Sequence, residues 1–110
     1  MEENIATGAT ALSFRLSISE DMNIYNAIPQ KGQLIEALDH CHDLEIDLSL
    51  VGEIDTAGFQ LLLLIKREAT RRGKTARIVA HSAPVREVLD FFNMAAYFGD
   101  PLVIPAREKR

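Results

Sequence analysis

An α/β layer structure is what this 110-residue chain predicts, and three observations carry the prediction. Two stretches, Leu12 to Ile18 and Leu44 to Ser49, alternate apolar and polar side chains with the period-two rhythm of half-buried strands. Two others, Phe59 to Ala69 and Val85 to Phe92, repeat apolar residues at the three- and four-residue spacing of helices. The resulting order is strand, strand, helix, strand, helix, strand, helix, in which helices alternate with the later strands.

Residues 1–10 mix Glu, Asn, Thr, Gly and Ala without a period and read as a flexible N-terminal arm. Leu12, Phe14, Leu16 and Ile18 then alternate with Ser13, Arg15, Ser17 and Ser19 in a first strand with one wet face. Met22, Ile24 and Tyr25 suggest a second short strand after the turn at Glu20-Asp21. A helix opens at Asn26-Ala27-Ile28-Pro29, where a proline is tolerated because first-turn N–H groups lack intrahelical partners. Its apolar stripe is Leu34, Ile35 and Leu38, and His40 to Asp43 end it.

The strand from Leu44 runs through a short acidic turn, Glu53-Ile54-Asp55, into the helix that begins at Thr56. At 100° per residue, Gly58, Leu61, Leu62, Ile65 and Ala69 share one face, which should pack on the sheet with Gly58 allowing close approach. Phe59 and Leu63 point substantially the other way. They are either covered by the next helix or part of an apolar patch for a partner protein. The cationic run from Lys66 to Lys74 suits a helix C-terminus closed by Gly73. Arg77 to Ala80 form a further strand, Pro84 opens the next helix, and Phe98, Leu102, Val103 and Ile104 make a last apolar segment. Residues 11–104 thus form a single domain and 105–110 a charged tail, a length that supports one hydrophobic core and not two.

Composition excludes several functions. The 47% hydrophobic and 25% charged residues are those of a soluble globular domain, and 12 Lys plus Arg against 16 Asp plus Glu leave a net charge of −4 without a dense basic tract. Nucleic acid, which is bound mainly by clustered cations, is not an expected partner. Cys41 is the only cysteine, the acidic N-terminus lacks a secretory signal, and the longest apolar run, Leu61 to Ile65, is far too short to span a membrane. A cytoplasmic protein without direct membrane insertion is expected. His40-Cys41-His42 does not make a metal site, because adjacent residues of a helix face different ways, and no second ligand cluster exists. His81 beside Ser82 lacks an orienting acid, and Ser82 reads as a helix cap. Phosphate-cradling glycine loops are absent. The expectation is a non-enzyme with no cofactor and no metal.

The chemistry that remains lies at Asp55 and Thr56. An oxygen-bearing side chain at a helix start caps the first N–H groups, so either residue could be an N-cap whose removal costs about 1 kcal/mol. The capping role is the ordinary one; in a sharper reading Thr56 is a phosphoacceptor. A phosphate there would add roughly −1.5 to −2 charge beside Glu53 and Asp55, tolerated by the helix end and repelled by the neighbouring carboxylates.

The stretch from Asp47 to Phe59, Asp-Leu-Ser-Leu-Val-Gly-Glu-Ile-Asp-Thr-Ala-Gly-Phe, resembles the signature of STAS domains, the family of anti-sigma factor antagonists. Arg72-Gly73-Lys74 and Ala83-Pro84-Val85-Arg86-Glu87-Val88-Leu89 continue the resemblance, which covers nearly everything from Leu12 to Ile104. It implies a mixed four- to five-stranded sheet with helices packed mainly on one side. It further implies that Thr56 is the regulatory phosphosite and that Asp55, Thr56, Ala57, Gly58, Phe59 and Leu63 meet the partner. That partner would be an anti-sigma factor or a histidine-kinase-like serine/threonine kinase, with a PP2C-type phosphatase reversing the modification. Thr56 stands where many members carry serine, and Ala57 replaces a second hydroxyl often found there. Asp-Thr-Ala-Gly is also similar to the STAS subunit of Mla-type phospholipid transporters. The alternative function is therefore a constitutive subunit bound to an ABC transporter ATPase.

Overall fold

The computed structural model describes residues 11–98. In chain order the elements are β1 (Ala11–Ser17), α1 (Ala27–Asp39), β2 (Cys41–Leu48), α2 (Thr56–Arg71), β3 (Thr75–His81), α3 (Ala83–Phe91) and α4 (Ala95–Phe98). The arm 1–10, the tail 105–110 and Leu102, Val103 and Ile104 lie outside the described residues.

The strands form one sheet in the order β1-β2-β3, and both pairings are parallel. The in-register rows sort the side chains by face. Phe14 lies beside Leu44, Leu16 beside Ile46, and Ile46 beside Ile78. On that face Leu44, Ile46 and Ile78 are buried, together with Leu34 and Leu38 of α1 and Leu61, Leu62 and Ile65 of α2. The other face places Arg15 beside Glu45 and Glu45 beside Arg77. Arg77 donates to Glu45 at 3.0 Å, and Thr75 Oγ1 donates to Asp43 at 2.6 Å. Parallel strands are commonly apolar on both faces because helices cover both. Here the second face is a lattice of paired charges, which is why the sequence alternates instead of running apolar.

Among the described residues the sheet has three strands and no antiparallel pair. The strand expected at Met22, Ile24 and Tyr25 is corrected to a single bridge between Met22 and Ile54. The cause is local: Asn23 Oδ1 accepts from the N–H groups of Tyr25 and Asn26, both at 3.0 Å, and this side-chain turn bends the backbone into α1. A second correction lengthens β2, which starts at Cys41 where the end of a helix was expected.

The C-terminus of α2 is locked to that of α1. Gly73 adopts a φ of 72°, the left-handed conformation that closes a helix without a Cβ penalty. Lys74 Nζ donates to the Leu38 carbonyl at 2.6 Å, and Arg72 reaches both Glu68 and Asp39. Hydrogen bonds from Arg71 and then Arg72 pull the Glu68 carboxyl down from 4.5 to about 2. A group whose pKa is depressed on folding stabilises the fold above its unfolded pKa and loses that contribution as pH falls through the folded value. The melting temperature of the wild type is therefore expected to drop between about pH 4.5 and pH 2, and Glu68→Gln to flatten part of that drop. Thermal melts of the two proteins across this window check it. Parallel curves would assign the acid sensitivity to other carboxylates.

Candidate functional site

The loop from β2 to α2 is built by its own side chains and by the loop that precedes α1. Asp47 Oδ1 accepts from the Ser49 N–H at 2.9 Å and from its hydroxyl at 2.7 Å, which starts the turn and holds the Asp47 carboxyl below the ordinary carboxylate range. Val51 is buried and anchors the middle of the loop. Beyond it the chain is stitched to residues 21–24. The Met22 N–H donates to the Glu53 carbonyl at 2.9 Å, the Asp55 N–H donates to the Met22 carbonyl at 3.0 Å, and Asp21 Oδ1 accepts from the Glu53 N–H at 3.0 Å.

Asp55 resolves the capping alternatives. It is the N-cap of α2, with Oδ1 accepting from the Gly58 N–H at 3.1 Å, and its Oδ2 accepts from the Ile24 N–H at 3.3 Å. One carboxylate thus ties the helix start to the β1–α1 loop. Thr56 is the first helical residue, not the cap, and it is exposed. Ala57 is half-buried. Gly58 is buried, and the closely approaching partner is the Met22 backbone where the sheet was expected: a Cβ on Gly58 would run into the Met22 carbonyl oxygen and lie 2.7 Å from the Met22 Cβ.

Phe59, expected at a partner-facing patch, is corrected to core. It is only 6% exposed, its ring stacks on Phe92 at a centroid distance of 4.4 Å, and it meets the edge of Phe98 at 6.2 Å. The aromatic side chains that follow β3 have filled the space a partner would need. Leu63, one turn further along, is half-buried and packs against the same core. Of the expected site residues, the described structure leaves Asp55 and Thr56 exposed and turns Gly58 and Phe59 to structural work.

Sequence reasoning missed a neighbour of this loop. Ile24, Tyr25 and Ile28 are 66%, 87% and 83% exposed, and Ile24 touches the site through its bond to Asp55. One signal was available for Ile28. At 100° per residue it lies about 135° from the mean direction of Gln30, Leu34, Ala37 and Leu38, the buried face of α1, so it never belonged to the core stripe. The surrounding charge is mainly negative, with Lys31, one turn beyond Ile28 on α1, as the nearest cation in the sequence. Residues 20–30 and 49–60 contain Glu20, Asp21, Glu53 and Asp55 and no Lys, Arg or His. Among the described residues no cluster of three His, Cys, Asp or Glu could hold a metal ion, and no helix is long and apolar enough to cross a membrane.

A family model described as Mlab, STAS domain matches residues 5–104. None of the curated proteins compared with the chain matches it.

Proposed function

The chain belongs to the STAS domain family, and from that membership we propose a regulatory protein-interaction module resembling an anti-sigma factor antagonist, acting in the cytoplasm. Unphosphorylated, it binds an anti-sigma factor or a histidine-kinase-like serine/threonine kinase through the Asp55-Thr56 junction and the adjoining turn of α2. The partner transfers a phosphoryl group from ATP to the Thr56 hydroxyl, and a PP2C-type phosphatase removes it. This chain is the substrate of that step, not its catalyst.

The observation that supports this reading is the division of labour between Asp55 and Thr56. Because Asp55 supplies the capping oxygen, the threonine hydroxyl is not needed to cap the helix, and Thr56 is exposed at its first position. A phosphate there faces the positive end of the α2 dipole, so the fold tolerates it. The interface does not. The new charge lies beside Asp55 and Glu53 and would have to be stripped of water against them for the partner to stay docked.

Thr56→Glu tests this. The variant is expected to melt within about 0.5 kcal/mol of wild type and to bind the partner at least about tenfold more weakly. Tagged wild type and variant are purified side by side from the native cells, and the co-purifying proteins are identified by mass spectrometry. A kinase-like ATPase recovered with wild type and lost with Thr56→Glu supports partner switching; equal recovery with both defeats it.

A second reading rests on the Mlab description of the matching family and on Ala57 in place of a second hydroxyl. In it the chain is a constitutive subunit of a phospholipid transport complex, held by an ABC transporter ATPase, and Thr56 is a packing contact. Recovery of such an ATPase in the same experiment decides for it.

A further inference from the structure

We propose that Ile24, Tyr25 and Ile28, with Asp21, Glu53 and Asp55 beside them, form the second wall of the docking site and take a partner segment that carries apolar side chains flanked by lysine or arginine. The proposal rests on the regulatory reading above and names the chemistry of the partner at that site.

The argument begins with exposure. Three large apolar side chains within residues 24–28 stand mostly in water, although the core of this domain is otherwise well supplied. Scattered single apolar residues are ordinary on protein surfaces, whereas a contiguous group rimmed by polar side chains marks an interaction site. Tyr25 in particular combines a large apolar ring with a hydroxyl, the composition enriched at the centres of protein interfaces.

The patch is also fixed with respect to Thr56. Met22 exchanges two backbone hydrogen bonds with Glu53 and Asp55, the Ile24 N–H is held by Asp55, and Asn26 Nδ2 donates to the Asp21 carbonyl at 2.8 Å. From below, the buried Gln30 donates to the same carbonyl at 3.1 Å. The segment 21–26 therefore moves with the start of α2, and a partner seated on one touches the other.

Charge then selects the occupant. Four carboxylates stand in the two segments that build this surface against one neighbouring cation, Lys31, a turn along α1 from Ile28. An anionic membrane or a nucleic acid is repelled, and so is an acidic peptide. A second copy of this chain docked through this same face would present the same carboxylates to these. A segment with basic residues around an apolar centre satisfies both features, the cations pairing at the rim and the apolar side chains covering Ile24, Tyr25 and Ile28. The phosphate on Thr56 acts at a different point: at the α2 junction its charge would have to be stripped of water beside Asp55 and Glu53, whereas the partner's lysines or arginines pair with carboxylates at the exposed rim.

The test places a photoreactive amino acid at Tyr25 in one variant of the full-length protein and at Gln60, exposed on α2, in another. Both are expressed in the native cells, irradiated, and the crosslinked peptides sequenced. The expected result is the same partner captured from both positions, with the Tyr25 crosslink falling in an apolar stretch bordered by Lys or Arg. Tyr25→Ser, which disturbs no core contact, is then expected to weaken binding of that purified partner about tenfold. Capture from Gln60 but not from Tyr25 would leave the regulatory reading standing and overturn this proposal. Capture from neither position defeats both. A Tyr25 crosslink to an acidic segment or to another copy of this chain, or an unchanged affinity for Tyr25→Ser, overturns the proposal as well.

Discussion

Phe59→Ala is expected to destabilise the domain by about 3–5 kcal/mol. The ring is 6% exposed and is sandwiched into an aromatic group in which Phe92 stacks on one face and Phe98 meets it edge-on. Truncation removes the transfer free energy of the ring and leaves a cavity between α2 and the rings of Phe92 and Phe98 that these stiff neighbours cannot close. Aromatic pairs of this geometry contribute about 0.5–1.5 kcal/mol beyond area burial, which places the cost in the upper part of the range. Urea denaturation of wild type and variant measures it. A loss below about 0.5 kcal/mol, the level of an ordinary surface substitution, would return Phe59 to the surface and make it a partner contact.

Gly58→Ala is expected to cost about 2 kcal/mol, although alanine is favoured over glycine within a helix by about 1 kcal/mol. The conflict is steric. The added Cβ would overlap the Met22 carbonyl oxygen and lie 2.7 Å from its Cβ. Backbone cannot swing aside as the end of a flexible side chain can. Either α2 backs away from the β1–α1 loop or the bonds of Met22 to Glu53 and Asp55 stretch, and both outcomes loosen the site as well as the fold. Gly32 in α1 supplies the control, since a Cβ there meets nothing within 4 Å and the same substitution should stabilise. Denaturation midpoints of the two variants should move in opposite directions. If both rise, the close approach of α2 to Met22 is not real.

Much of this architecture was legible because it is local. The alternation of β1 and β2, the apolar spacing of α2 and α3, and the stop at Gly73 follow from periods of two and 3.6 and from a residue that tolerates positive φ. The errors arose where distant residues decide. Phe59 was ambiguous because its cover comes from Phe92 and Phe98, more than thirty positions away. Met22, Ile24 and Tyr25 imitated a strand because only one of the three is buried, and alternation cannot distinguish a core face from an exposed one. At the site, the acidic turn and the hydroxyl were visible in the sequence, but which of Asp55 and Thr56 does the capping was not. That depends on the Asp55 carboxylate being shared between the Gly58 and Ile24 amides, a long-range bond on one side.

Helix α2 has a further property, which follows from the way the charges were distributed at its two ends. Its start is surrounded by Glu20, Asp21, Glu53 and Asp55, while its last turns and the following residues carry Lys66, Arg67, Arg71, Arg72 and Lys74 against Glu68 and the Asp39 that Arg72 reaches. The ion pairs of the sheet's charged face cancel locally and contribute little at a distance. What remains among the described residues is a separation of sign across a helix of 16 residues, about 24 Å. A molecule so polarised turns in the field of an oppositely charged partner before it touches it. Encounters then begin with the Thr56 end forward, and the association rate falls as salt screens the field.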